Sequence, residues 1–280
     1  TKSGRNADKP SITLQMNQGI YNRGIPEYER LDADPWMEMA WIAKKNSMMS
    51  NTGMSASEAA AYATSHLIGE SIGRNIYNAA DDKLFDSNGK LTATRLAGYD
   101  DLDWQDAIER NGHRQEYNLS AATSGQKYNV YSSVGYLNEK GYVKATGYER
   151  FSGRVNTTYT PNSWFKGGVN LNGSWTKRDY NNNASGNAYA NPFYIARYMA
   201  PVYPVYLHNA DGTYQLDAAG DKIYDTTSSY LSNRHIVYEM LFNKQESVRN
   251  VLGGQAFATI SLPYGLSLTV KGDLNNSTTN

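Results

Sequence analysis

The chain contains no cysteine, so no disulfide can frame it and no thiolate can hold a metal. It has no apolar run near the ~20 residues that a transmembrane helix requires, and its mean hydropathy is −0.65. Net charge is also missing. The 27 Lys and Arg are balanced by 27 Asp and Glu, which leaves no overall field to steer the protein onto nucleic acid. The four histidines are His66, His113, His208 and His235, and no two stand four residues apart as a helical metal pair does. There is no G-x-S-x-G, no glycine-rich phosphate loop and no pair of carboxylates on a shared face. No catalytic residue, metal or cofactor is therefore expected, and the chain does not read as an enzyme.

What the 280 residues do contain is 23 Tyr, 5 Trp and 24 Gly, with a strict alternation of side-chain type. From Phe165 to Thr176, Phe165, Gly167, Val169, Leu171, Gly173 and Trp175 fall on one face. Lys166, Asn170, Asn172, Ser174 and Thr176 fall on the other. Successive side chains of a strand point to opposite faces, so this is a strand with one apolar and one polar side. Phe151, Val155 and Tyr159 alternate in the same way with Ser152, Arg154, Asn156 and Thr158. So do Tyr128, Val130, Val134 and Tyr136 with Asn129, Tyr131 and Ser133, and Ile12, Leu14, Met16 and Ile20 with Thr13, Gln15 and Asn17. Further strands are expected at about 247–261 and 266–273.

Aromatics close both ends of the apolar face: Tyr128 with Tyr136, Phe151 with Tyr159, Phe165 with Trp175. Eight to ten residues at ~3.3 Å each span ~26–33 Å along a strand, or ~20–25 Å along the normal at a tilt of ~40°. That matches the ~25 Å apolar band between the aromatic girdles of an outer-membrane barrel. The inner face of a β-sandwich carries the same alternation, and connection lengths separate the two readings. Segments 22–113 and 177–245 are very long, whereas the turns at Ser124-Gly125-Gln126, Thr160–Ser163 and Leu262–Gly265 are short. Long and short connections alternate by end, as in barrels with short periplasmic turns and long external loops. The expected fold is all-β: a piece of a large antiparallel transmembrane β-barrel with long, partly helical external loops. Seven strands cannot close a barrel of that size. Residues 1–10 read as a connector and residues 11–280 as the first barrel strands.

The long connections carry local signals of their own. Asp34-Pro35 is expected to open a helix running to about Met49, with Asp34 as its cap. Ser55 and Glu58 form a capping-box pattern before a second helix, and Asp103 is expected to cap a short third one over WQDAIER. Asp86-Ser87-Asn88-Gly89 reads as a tight turn, and the turns near Asn209–Gly212 and Ala218–Asp221 read as parts of a small hairpin. Both Asp86-x-Asn88-Gly89 and Asn209-x-Asp211-Gly212 lack the further oxygen ligands of a calcium loop. Tyr189, Asn191, Tyr194 and Arg197 precede the proline-punctuated run Pro201–Pro204 and are the candidate ligand-binding residues. Tyr, Asn and Arg supply stacking and hydrogen bonds, and prolines hold a site stiffly.

The strings TKSG, PEYERL, DLDWQDAIERNGHRQEYNLSA, YNVYSSVGYLNEKGYVKATGYERFSGRVN and ANPFYIARYMAPVYPVYLHNADGTY together resemble the SusC/RagA-type TonB-dependent transporters of the Bacteroidetes outer membrane. The resemblance covers essentially the whole chain, with TKSG looking like the end of the plug domain. It implies that the chain is the N-terminal third of a plugged barrel of about 22 strands that takes up oligosaccharides or peptides. It also implies energy coupling through TonB, a SusD-like surface lipoprotein as lid, and outer-membrane lipid around the strands, with no nucleic acid partner. A carbohydrate-binding β-sandwich module and a passive diffusion porin are the alternatives. The porin would carry charged constriction loops, which the Tyr- and Asn-rich connections do not resemble.

Overall fold

The computed structural model describes residues 9–181, 191–226 and 235–280. The TKSG connector lies outside them. Seven strands form one antiparallel sheet in chain order: β1 Ser11–Tyr21, β2 Gly112–Ser124, β3 Tyr128–Lys140, β4 Gly147–Asn162, β5 Phe165–Tyr180, β6 Gln245–Ser261 and β7 Ser267–Thr279. Each strand pairs with its sequence neighbour, so the sheet is an uncrossed meander.

The connections at one end of the sheet are residues 22–111, 141–146 and 181–244, and those at the other are 125–127, 163–164 and 262–266. The expected asymmetry of ends is present, with the long segments a few residues shorter than 22–113 and 177–245. The middle connection of the long end is held by Arg110, whose guanidinium donates to the carbonyls of Gly141 (3.0 Å) and Thr146 (2.8 Å).

Two sheet details differ from expectation. Thr160–Ser163 is not a turn: β4 continues through Pro161 to Asn162, with a register shift between Tyr159 and Asn162. Proline lacks the N–H that a ladder needs, and the irregularity accommodates it. The reversal falls at Ser163-Trp164, where the Asn162 side chain accepts from the Phe165 amide at 3.0 Å. Strand β7 also runs past Asp273 to Thr279, because its polar end still pairs with β6.

Ile25–Glu109 and Asn182–Phe242 form a second compact unit. It contains helices α1 Ala33–Thr52, α2 Ala56–Leu67, α3 Trp104–Ile108, α4 Pro192–Tyr198 and α5 Ile236–Phe242. None of these is long and apolar enough to cross a membrane. The N-cap of α1 is Asp32, not Asp34. Asp34 lies inside the first turn and accepts a hydrogen bond from the Tyr77 hydroxyl at 2.9 Å. That bond and, more strongly, burial push the Tyr77 phenol well above its ordinary value. The capping box of α2 forms as its sequence requires: the Ser55 side chain accepts from the Glu58 amide, and the Ser55 amide donates to the Glu58 carboxylate at 2.9 Å.

The core of this unit gathers Met37 and Trp41 of α1, Ala63 and Leu67 of α2, and Ile76, Leu84 and Phe85 from the segment that follows. Trp41 is buried, and its indole N–H donates to Thr64 at 2.9 Å. A neighbouring group of buried side chains includes Trp104, Ile195, Val205 and Val237.

Candidate functional site

The register converts the alternation into two chemically distinct faces. On one, Met16, Tyr117, Tyr136, Phe151 and Trp175 lie in a single cross-strand row. The rings of Tyr136 and Phe151 stand 4.6 Å apart, and those of Phe151 and Trp175 6.0 Å apart. A second row holds Tyr128 opposite Tyr159, then Phe165 opposite Ile260. Between the rows the same face shows Leu14, Leu119, Val134, Val155, Leu171, Leu252 and Val270, all strongly exposed. One step beyond the first row, the face turns polar at Glu149, Lys177 and Glu246, with Lys177 and Glu246 paired at 2.7 Å. Six of these aromatics were expected from the sequence. Tyr117 was not, although it stands two residues before Leu119 on the same alternation.

The opposite face is hydrophilic. Arg114 bridges Glu116 (2.9 Å) and Glu139 (3.2 Å), and Arg150 approaches Glu116 at 3.9 Å. Further along the strands, Asn170 donates to Gln255 at 3.3 Å, and Gln255 donates to Asp273 at 2.6 Å.

In the second unit, the candidate residues gather on and before α4. Asn191 is its N-cap: the side-chain oxygen accepts from the amides of Phe193 (3.0 Å) and Tyr194 (3.2 Å). Pro192 takes the first helical position, where the missing N–H costs nothing. Arg197 makes a bidentate pair with Glu27, both contacts at 2.8 Å. Hydrogen bonding to that carboxylate raises the Arg197 guanidinium above its usual value. Tyr194 is exposed and stacks on Tyr198 one turn later, with centroids 5.9 Å apart and planes within 11°. Tyr189 lies outside the described residues. The run Pro201–Pro204 is anchored by Val202 and Val205, each 1% exposed, and by the Tyr203 hydroxyl, which donates to the Ile72 carbonyl at 3.1 Å. Sequence reading missed Tyr198 and the Glu27 partner. Tyr198 could have been found from its i, i+4 spacing to Tyr194 on a helix.

An aromatic cluster continues into the hairpin. The Tyr206 ring meets those of Tyr214 and Tyr224, and the Lys222 ammonium sits 5.3 Å from the Tyr206 ring centre and 3.4 Å from that of Tyr214. Burial pushes the Tyr224 phenol up to about 12, with a smaller contribution from Tyr206. His235 is buried, approaches the Val205 carbonyl through Nε2 at 2.8 Å and accepts from the Tyr238 amide through Nδ1 at 3.1 Å. Asp86 and Asp211 spend their carboxylates on backbone amides of their own turns. Among the described residues no three His, Asp or Glu side chains cluster as a metal site would.

No protein-family profile matches the chain. A TonB-dependent receptor of Formosa agariphila is 32% identical over 84 residues, which are 30% of this chain and 8% of that protein. The RagAB peptide importer in its closed-closed state superposes with a TM-score of 0.59 at 18% identity, over 100% of this chain and 29% of that one. Its open-open state gives 0.58 at 17% identity, with the same coverage. The chain thus spans less than a third of the proteins it matches. In fold the chain is similar to a segment of the RagAB peptide importer.

Proposed function

We propose that the chain forms part of the wall and external loops of an importer driven through TonB, which takes up oligosaccharides or peptides under a SusD-like surface lipoprotein acting as lid. One observation carries this reading. The strongly exposed aliphatic side chains of the sheet strands all lie on one face, bounded by two aromatic rows. A water-facing sheet would bury that face, whereas lipid solvates it. Tyr117, Tyr136, Phe151 and Trp175 then form one girdle, and Tyr128, Tyr159 and Phe165 the other. The long connections lie outside the cell and the turn at Ser163-Trp164 in the periplasm. Tyr194, with Tyr198, is the cargo-stacking surface of α4, while Asn191 and Arg197 hold that helix in place.

Topology and assembly test the reading together. In cells making the full-length protein, a cysteine replacing Asn209 should react with an impermeant thiol reagent, and one replacing Ser163 only after the outer membrane is opened. The protein purified from outer membranes in detergent should bring a lipoprotein with it in stoichiometric amount. Labelling at Ser163 with protection at Asn209 would overturn the topology. Recovery of the barrel without a lipoprotein would overturn the lid.

A further inference from the structure

The whole chain is electrically neutral, but the hydrophilic face of the sheet is not. The register places Arg114, Arg150 and Arg154 there with Glu116 and Glu139, and adds Lys166, Arg178, Arg249 and Lys271 against Asp273. That is seven cationic side chains against three anionic ones, in a protein with 27 of each. The imbalance is sharpest at a depression of about 340 Å³ bounded by Arg150, Arg154, Asn118 and Asn172, with Ser133 and Ser152 among its lining.

The depression depends on a residue without a side chain. A Cβ on Gly135 would stand 2.6 Å from the Asn118 side-chain oxygen and 3.0 Å from the Ser152 hydroxyl. Both groups lean into the space it would fill. Glu116 offsets the arginines only in part: it is held by Arg114 at 2.9 Å and shared with Arg150 at 3.9 Å. Arg154 makes no ion pair among the described residues. Two guanidiniums with amide and hydroxyl donors around a hollow are suited to an oxyanion. The lining also carries side-chain amides and hydroxyls that can hydrogen-bond the hydroxyls of a sugar.

We propose that this wall selects anionic cargo: the depression takes a carboxylate or sulfate group of an acidic oligosaccharide. The inference rests on the import reading above and names the cargo's charge. A cationic lining concentrates anions at the wall. Contacts spread over Arg150, Arg154, Arg249 and Lys271 let a polyanion move from one site to the next without being trapped.

The test uses the full-length protein, purified in detergent with its lipoprotein, and two probes, tetragalacturonate and neutral galactotetraose. Tetragalacturonate should bind more tightly, and the gap should narrow as salt rises from about 50 to about 300 mM. Arg150→Gln with Arg154→Gln should weaken tetragalacturonate binding by about five- to tenfold and leave galactotetraose unchanged. Arg154→Gln alone strands no ion-pair partner and gives the same reading, at smaller amplitude, if the double variant fails to assemble. Equal wild-type affinity for the two sugars overturns the inference, as does equal weakening of both. Tighter binding of tetraglutamate than of tetragalacturonate would assign the wall to acidic peptides instead. A lowered Tm with unchanged binding would show that the face packs against polypeptide. A barrel that keeps its topology and its lipoprotein but binds both sugars equally removes this inference and leaves the import reading standing.

Discussion

Two turns in the second unit form a matched pair, and together they isolate the energetics of one packing contact. Asp86–Gly89 and Asp217–Gly220 are closed by the same hydrogen bond, glycine amide to aspartate carbonyl, at 3.1 Å in each. In both, the aspartate carboxylate also accepts two backbone amides downstream. Gly89 has φ 83° and Gly220 has φ 87°. They differ in surroundings: a Cβ on Gly220 meets nothing, whereas one on Gly89 would lie 2.2 Å from the Trp41 ring. Alanine at either site is forced into the left-handed region, which costs roughly 1–2 kcal/mol. At Gly89 overpacking adds roughly 1–3 kcal/mol, because Trp41 is fixed by its bond to Thr64 and cannot retreat. Hydrogen exchange on the intact protein separates the two terms. Gly89→Ala should speed exchange of the α1 amides around Trp41 about 5–30-fold for the first one or two kcal/mol. Gly220→Ala should leave them at the wild-type rate and loosen only its own hairpin. Equal α1 exchange in the two variants would refute the claim that Gly89 is required by the tryptophan.

Three more outcomes follow from the same structure. Leu171→Arg, at mid-band on the apolar face, should destabilise the full barrel in bilayers by about 2–4 kcal/mol, whereas Asn172→Arg on the opposite face should be nearly neutral; similar effects in reversible urea unfolding would contradict the lipid assignment. Burial holds the His235 imidazole below its ordinary value near 6.5 despite opposing bonds and carboxylates. The unfolded chain therefore binds the extra proton first, so this stabilisation is complete above about pH 6.5 and is lost as pH falls towards the folded value; exchange of the α5 amides should accelerate over that window and be flat if the ring is uncharged for another reason. Tyr194→Ala with Tyr198→Ala should weaken cargo binding by about 1–3 kcal/mol while the lipoprotein stays bound; unchanged affinity, with cargo identified, would make α4 structural.

What could be read from the sequence was what depends on near neighbours. Strand β1 begins and ends where its alternation does, because period two is a property of the backbone. The Ser55–Glu58 box and the Asp86–Gly89 turn involve residues three or four apart and needed no tertiary information. Misreadings arose where a local signal met a tertiary constraint. Asp34-Pro35 looks like a cap and first turn, but Asp34 is bonded to Tyr77, 43 residues away. Arg197 is a ligand candidate from its sequence, and no local signal announces the carboxylate partner that lies 170 residues earlier. Pro161 looked like a turn, and strand pairing carried the backbone through it.

Charge shows most clearly what composition hides. A chain with equal numbers of acids and bases can be read as one without an electrostatic preference, and for its diffusion through water that holds. A barrel wall, however, presents its faces to different media, and each face interacts with its surroundings independently. On the apolar face charges appear only beyond the aromatic row, where Lys177 meets Glu246 and Glu149 accepts from Tyr136. There they sit at the edge of the band and do not breach it. On the hydrophilic face the cations outnumber the anions, and the acids that would cancel them across the whole chain are mostly in the helices and turns of the second unit, occupied with caps and carboxylate–amide bonds such as those of Asp86, Asp103 and Asp217. An averaged net charge of zero is therefore compatible with a wall that discriminates strongly between cargo of opposite sign.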